Sequence, residues 1–130
     1  MQVINDNRWR NKVILVVEDE PINFQYIEAL LKETGLVIIS AKTGEEAINF
    51  CQTIDKIDLV LMDIKLPFMS GYEAAQRIKS FRINLPIIAQ TAYVLNDDRM
   101  QSLKVGCSDY ISKPIDPDEF YSIISKYLDC

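Results

Sequence analysis

Five short apolar runs, each followed by a stretch with helical spacing, limit the folds open to this chain more than any other feature. Lys12–Val17, Leu36–Ala41, Leu59–Asp63, Leu85–Gln90 and Asp109–Ser112 read as strands. The first and third are continuous rather than alternating, the pattern of strands buried on both faces. Between strands, Pro21 opens a helix whose Ile22, Tyr26, Ile27, Leu30 and Leu31 keep a helical stripe up to Gly35. Thr43 caps a second helix, with Glu46 at the capping-box position and Ala47, Ile48 and Cys51 inside. A third helix runs from Tyr72 to about Phe81, with Ala74, Ala75 and Ile78 inward. The weakest pattern is Asn96–Val105, anchored only by Met100, Leu103 and Val105 and closed by Gly106. Asp116 or Asp118 caps the last helix, which carries Phe120, Ile123, Ile124 and Tyr127. Strand–helix alternation of this kind predicts an α/β fold: a doubly wound five-stranded parallel sheet, helices on both faces, right-handed crossovers, and the flavodoxin-like order 2-1-3-4-5.

The chemistry is expected where those strands end. Leu59–Met62 runs straight into Asp63, and an unpaired buried charge costs several kcal/mol. Such a carboxylate is tolerable at the open carboxyl end of the sheet, where ligands bind in folds of this type. The first strand ends in Glu18-Asp19-Glu20, and in the expected order it lies beside the third. Crowded carboxylates stay ionised at neutral pH only with a cation among them, and hard oxygen ligands favour Mg²⁺. The fourth strand leads to Thr91 and the fifth to Lys113 on the same rim. A metal, a hydroxyl and an ammonium together can hold three phosphoryl oxygens. A central carboxylate acting as nucleophile then yields an acyl phosphate.

The remaining composition narrows the classes. At 130 residues and 48% hydrophobic, one domain with a real core is expected: 1–11 as a flexible lead-in or linker stub, 12–130 as the domain. A net charge of −5 with scattered basic residues argues against direct nucleic-acid or membrane-surface binding. Cys51, Cys107 and Cys130 are widely spaced, and the chain has no histidine. Zinc and a disulfide framework are therefore disfavoured, and reduced thiols in a cytoplasmic setting are the natural reading. No apolar run approaches the ~20 residues a membrane span needs. Lacking histidine, the chain cannot supply a phosphohistidine of its own.

From Lys12 to about Leu128 the chain resembles the receiver domain of two-component response regulators. The resemblance rests on Glu18-Asp19, Met62-Asp63, Pro67 and Gly71 in the following loop, Thr91-Ala92, and Tyr110 three before Lys113-Pro114. Each is weak alone; together, in order on alternating βα units, they are specific. The strand order is that family's own, so pattern and resemblance are not independent there. Val-Val-Glu-Asp-Glu-Pro-Ile-Asn and Ser-Asp-Tyr-Ile-Ser-Lys-Pro-Ile are most similar to receivers of hybrid histidine kinases, so the chain is either a stand-alone regulator or a piece of such a kinase.

The resemblance implies that Asp63 takes a phosphoryl group from a phosphohistidine on a histidine kinase or histidine phosphotransfer protein. It implies a Mg²⁺ site made with Asp63, in which Asp19 binds the ion directly, Glu18 through water, and the backbone carbonyl of Lys65 is a further ligand. Lys113 pairs with the phosphoryl group, ahead of a cis bond to Pro114. Thr91 swings onto the phosphoryl oxygens and Tyr110 turns inward, switching the face made by the fourth helix, fifth strand and fifth helix. Dimerisation through that face is compatible with the sequence, though nothing in it asks for one. Lys65 and Tyr93 occupy positions that tune phosphoryl lifetime in the family and leave that lifetime open.

Three rivals are weaker. A Mg²⁺-dependent aspartyl-nucleophile phosphohydrolase resembling haloacid dehalogenases needs an acid two residues after Asp63, where Lys65 stands. A flavin or nucleotide binder needs a first loop of amides aimed at phosphate, but Glu18-Asp19-Glu20 repels it. An unphosphorylated pseudo-receiver scaffold would lack Asp63, Thr91 or Lys113. The favoured reading is a signalling module rather than an enzyme with a separate substrate.

Overall fold

A computed structural model describes residues 8–92 and 104–129. Its elements are β1 (Val13–Val17), α1 (Pro21–Leu31), β2 (Val37–Ala41), α2 (Gly44–Thr53), β3 (Leu59–Asp63), α3 (Gly71–Phe81), β4 (Ile87–Thr91), β5 (Asp109–Ser112) and α4 (Pro117–Leu128). All four strand pairings are parallel and the order is β2-β1-β3-β4-β5, as the alternation predicted. The helix expected over 96–105 falls almost wholly on residues 93–103, outside the described part, and Tyr93 lies there too.

The sheet divides the interior into two apolar layers. Ile14, Val16, Leu59, Leu61, Ile88 and Ile111 pack with Ile27 and Leu31 of α1 and Phe120 and Ile124 of α4. Leu15, Val17, Val60, Met62, Ile87 and Ala89 face Ala47 and Cys51 of α2 and Ala74, Ala75 and Ile78 of α3. Side chains alternate faces along a strand, so a strand covered on both sides favours apolar residues throughout; β1, β3 and β4 are buried at every position, with Asp63, Gln90 and Thr91 their polar residues. β2 is an edge strand, and Val37 is exposed.

Helix starts follow side-chain chemistry. Thr43 Oγ1 accepts the Glu46 N–H at 3.1 Å, and Glu46 Oε1 accepts the Lys42 N–H at 2.9 Å. Ser70 caps α3, and Asp116, not Asp118, caps α4 by accepting the Glu119 N–H at 3.0 Å. The α1 stripe is buried at Ile27 and Leu31, whereas Ile22 is 81% exposed. Ile22 stands in the first turn, at the rim where the strands end, beyond the reach of the core.

Within the stretch expected as a lead-in, Trp9 is 1% exposed and belongs to the α1/α4 layer. Its Nε1–H donates to Asp129 Oδ1 at 2.7 Å, Arg8 pairs with Asp129 Oδ2 at 2.7 Å, and the Trp9 N–H donates to the Thr34 carbonyl. Trp9 thus packs into the body of the domain, and Arg8 is tied to it through Asp129. No helix among the described residues is long and apolar enough to cross a membrane.

Candidate functional site

β1 and β3 are adjacent, with Val17 opposite Met62, so the residues just past each meet at the carboxyl edge. Glu18, Asp19 and Asp63 bring one carboxylate oxygen each to within 4.8 Å of one another. Glu18 and Asp63 are buried, and Asp19 is the most open of the three. From β5, Lys113 reaches across: its ammonium donates to Asp63 Oδ2 at 3.0 Å and lies 3.6 Å from Glu18 Oε1. The other Asp63 oxygen accepts the backbone N–H of Lys65 at 3.1 Å.

The electrostatics follow from burial and crowding. Burial pushes the Glu18 carboxyl upward, Asn23 pulls it down by donating to Oε1, the Asp63 charge pushes it up again, and the net shift is upward. Its other oxygen accepts the Glu20 N–H at 3.1 Å. Burial opposes the Lys113 ammonium, but its hydrogen bond to Asp63 and the Asp63 and Glu18 charges outweigh that, and its pKa rises. One ammonium among three carboxylates leaves the pocket short of positive charge, the condition under which a cation is attracted.

The donor set fits a hard divalent ion. Every candidate ligand is an oxygen, the chain has no histidine, and the described cysteines, Cys51 and Cys107, lie buried in the α2/α3 layer. Bound there, Mg²⁺ would offset the charge of the acidic cluster and draw in a phosphoryl oxygen.

Thr91 ends β4 on the same rim; it is buried, and its carbonyl accepts the Lys113 N–H at 2.8 Å. Tyr110 pairs with Ala89, two residues before Thr91, and packs on the α3 side of the sheet. Thr91 and Tyr110 therefore share one face, whereas Asp63, two beyond Leu61, lies on the α1/α4 face. The Lys113–Pro114 bond is cis.

Asn23 is a contact the sequence did not single out. The signal was a polar amide in the first turn of α1, one turn after the acidic run, but which carboxylate it would meet is set by the fold. A groove beside the pocket is lined by Glu20, Ile22, Asn23, Tyr26, Lys113 and Pro114. On the β3–α3 loop, Phe68 is 93% exposed and takes a φ of 70°, a strained value for a bulky residue.

Comparisons with known proteins agree with this fold. The family model described as the response regulator receiver domain matches residues 14–125. Hybrid signal transduction histidine kinase I of Dictyostelium discoideum is 36% identical over 123 residues, covering 88% of this chain but 7% of that kinase. The chain therefore spans a small part of that relative. The response regulator DivK of Brucella ovis is 34% identical over 119 residues, covering 90% of this chain and 96% of DivK. Among solved structures, the receiver domain of the Pseudomonas aeruginosa sensor histidine kinase PA1611, with a magnesium ion coordinated in its active-site cleft, is 34% identical. It matches with a TM-score of 0.84 over 92% of this chain and 99% of its own. The Saccharomyces cerevisiae complex of the phosphotransfer protein Ypd1 with the Ssk1 receiver domain matches at a TM-score of 0.86 and 28% identity, over 93% of this chain and 91% of the other.

Proposed function

This chain belongs to the response regulator receiver family, and from that premise we propose that it is a phosphorelay module accepting a phosphoryl group on Asp63. One observation carries the reading: the Lys113 ammonium sits 3.0 Å from an Asp63 oxygen in the pocket where Glu18 and Asp19 also converge. In the step proposed, an Asp63 carboxylate oxygen forms the new bond to phosphorus. The donor's N–P bond breaks, and the electron pair stays on the imidazole. Lys113 takes one phosphoryl oxygen and the Thr91 hydroxyl another, so the charge on the transferred group meets fixed donors. Glu18, Asp19 and Asp63, with the Lys65 carbonyl, would hold Mg²⁺.

Thr91 and Tyr110 share a sheet face, which supports a second part of the reading. Movement of Thr91 onto the phosphoryl group frees space toward Tyr110, and the surface around β5 and α4 changes with it. The donor is a phosphohistidine on a histidine kinase or histidine phosphotransfer protein, as the pairing in the Ypd1 complex suggests by analogy. Such a donor must cover the mouth of the pocket to bring its imidazole to Asp63. The exposed apolar residues at the rim, Ile22 and Phe68, suit that contact. The module works in the cytoplasm and turns over no separate substrate.

The test is intact-mass analysis after incubation with Mg²⁺ and phosphoramidate. Wild type gains one phosphate that hydroxylamine removes, and Asp63→Asn gains none. Rapid consumption of phosphoramidate without a labelled protein would instead indicate a phosphohydrolase.

A further inference from the structure

Among the described residues, Gln90 alone has side-chain nitrogen and oxygen atoms buried with no hydrogen-bond partner. It is 0% exposed. Leaving a buried polar group unpaired is costly, and a methionine of similar volume would remove that cost. Its surroundings suggest why an amide stands there.

The register sets Gln90 between Asp63 on β3 and Ile111 on β5. Ile88, two residues earlier, packs in the α1/α4 layer with Leu61 and Ile111, whereas Ile87 and Ala89 pack in the other. Alternation therefore puts Gln90 on the same face as Asp63. Lys113, two past Ile111, enters from β5. β4 lies between β5 and β3, so the Lys113 side chain must cross β4 to reach Asp63 Oδ2, and at that level the β4 residue on this face is Gln90.

An ammonium has three N–H donors. Here one meets Asp63 Oδ2, and Glu18 Oε1 lies at 3.6 Å. If Asp63 carries a phosphoryl group and the carboxylates are committed to a cation, as the phosphoacceptor reading has it, Lys113 would follow the phosphoryl oxygens away from Glu18. The Gln90 amide carbonyl, buried without a partner on this face of β4, is then an acceptor on the side from which Lys113 enters. We propose that Gln90 is a positioning residue of this site, accepting an N–H from Lys113 and so holding the ammonium on the phosphoryl group. The inference rests on the phosphoacceptor reading above; Gln90 touches no reacting atom and acts through Lys113.

The test compares wild type with Gln90→Met, with Gln90→Leu as a second apolar variant should methionine pack poorly. Two affinities are measured: Mg²⁺ alone, and beryllofluoride, a phosphoryl mimic, in saturating Mg²⁺. Losing one positioning hydrogen bond weakens beryllofluoride binding about fivefold and leaves Mg²⁺ affinity unchanged. The metal-free variant melts no lower than wild type, because an unpaired buried amide has been removed. Unchanged beryllofluoride affinity overturns the proposal. So does a parallel loss of both affinities, which a purely structural role would produce. If wild type itself neither binds beryllofluoride nor takes phosphate from phosphoramidate, the phosphoacceptor reading falls, and this inference with it.

Discussion

Gly71→Ala probes how tightly the loop after β3 is closed over Asp63, the proposed phosphoacceptor. A Cβ at Gly71 would stand 2.1 Å from the Asp63 carbonyl oxygen, 2.8 Å from the Ile64 Cα and 2.9 Å from the Asp63 carbonyl carbon. All three are backbone atoms of the strand end that carries Asp63, so no change of rotamer relieves the overlap. The start of α3 must retreat. That retreat strains or breaks the hydrogen bond from the Gly71 N–H to the Ile64 carbonyl, now 2.8 Å, and loosens Ala74, Ala75 and Ile78 from the core. Overpacking costs about 1–3 kcal/mol and the lost hydrogen bond about 1 kcal/mol. Alanine's better helix propensity returns less than about 1 kcal/mol. The net is about 2 kcal/mol, which for a domain of this size lowers the melting temperature by roughly 7 °C. Gly44→Ala is the matched control: its Cβ would meet Ala74 Cβ and Met69 Sδ at 3.1 Å, and the methionine can yield. The assay is paired thermal and urea unfolding of the three proteins, followed by phosphoramidate labelling of whatever remains folded. Gly71→Ala should melt well below Gly44→Ala and label more slowly, because Asp63 shares the displaced backbone. If Gly71→Ala melts within about 3 °C of wild type, or no lower than Gly44→Ala, the close approach is not a constraint and the reasoning fails.

Two further outcomes follow from the same structure. Burial raises the Cys51 thiol from 9.0 to about 11 and the Cys107 thiol from 9.0 to about 12. Between pH 9 and 11 the unfolded chain therefore loses these protons while the folded one keeps them, so stability falls as pH rises. The loss should be about 3 kcal/mol for the pair by pH 10, read from urea midpoints at pH 8 and 10. An equal drop in the Cys51→Ala/Cys107→Ala variant would refute the assignment. At the other side of the fold, Asp129→Ala removes the acceptor of the Trp9 indole and the partner of Arg8. It should cost about 1–2 kcal/mol and move the emission of the chain's one tryptophan to the red; an unchanged spectrum and midpoint would show that this contact does not hold Trp9.

What was legible in the sequence and what was not divides along one physical line. A strand sandwiched between helices can carry no charge along its length, so in β1 and β3 the first charged residue marks where the sandwich ends. Glu18 and Asp63 announced both the strand ends and the candidate site in that way, and the parallel order then required those ends to meet. Choices made by distant partners carried no comparable local mark. Trp9 stands in a polar stretch and is buried because Asp129, 120 residues away, offers its indole an acceptor. Ile22 obeys the helical stripe of α1, yet it is exposed because the helix begins above the rim of the sheet, where no core remains to receive it. Gln90 is the reverse case: a polar residue inside a strand that the pattern requires to be apolar. Such a break in an otherwise consistent pattern is where function is expected to override packing. The break falls one position before the rim, under the path Lys113 must take to Asp63. The rim residues could be read from their charge alone; the residue beneath them becomes intelligible only once the register shows what crosses above it.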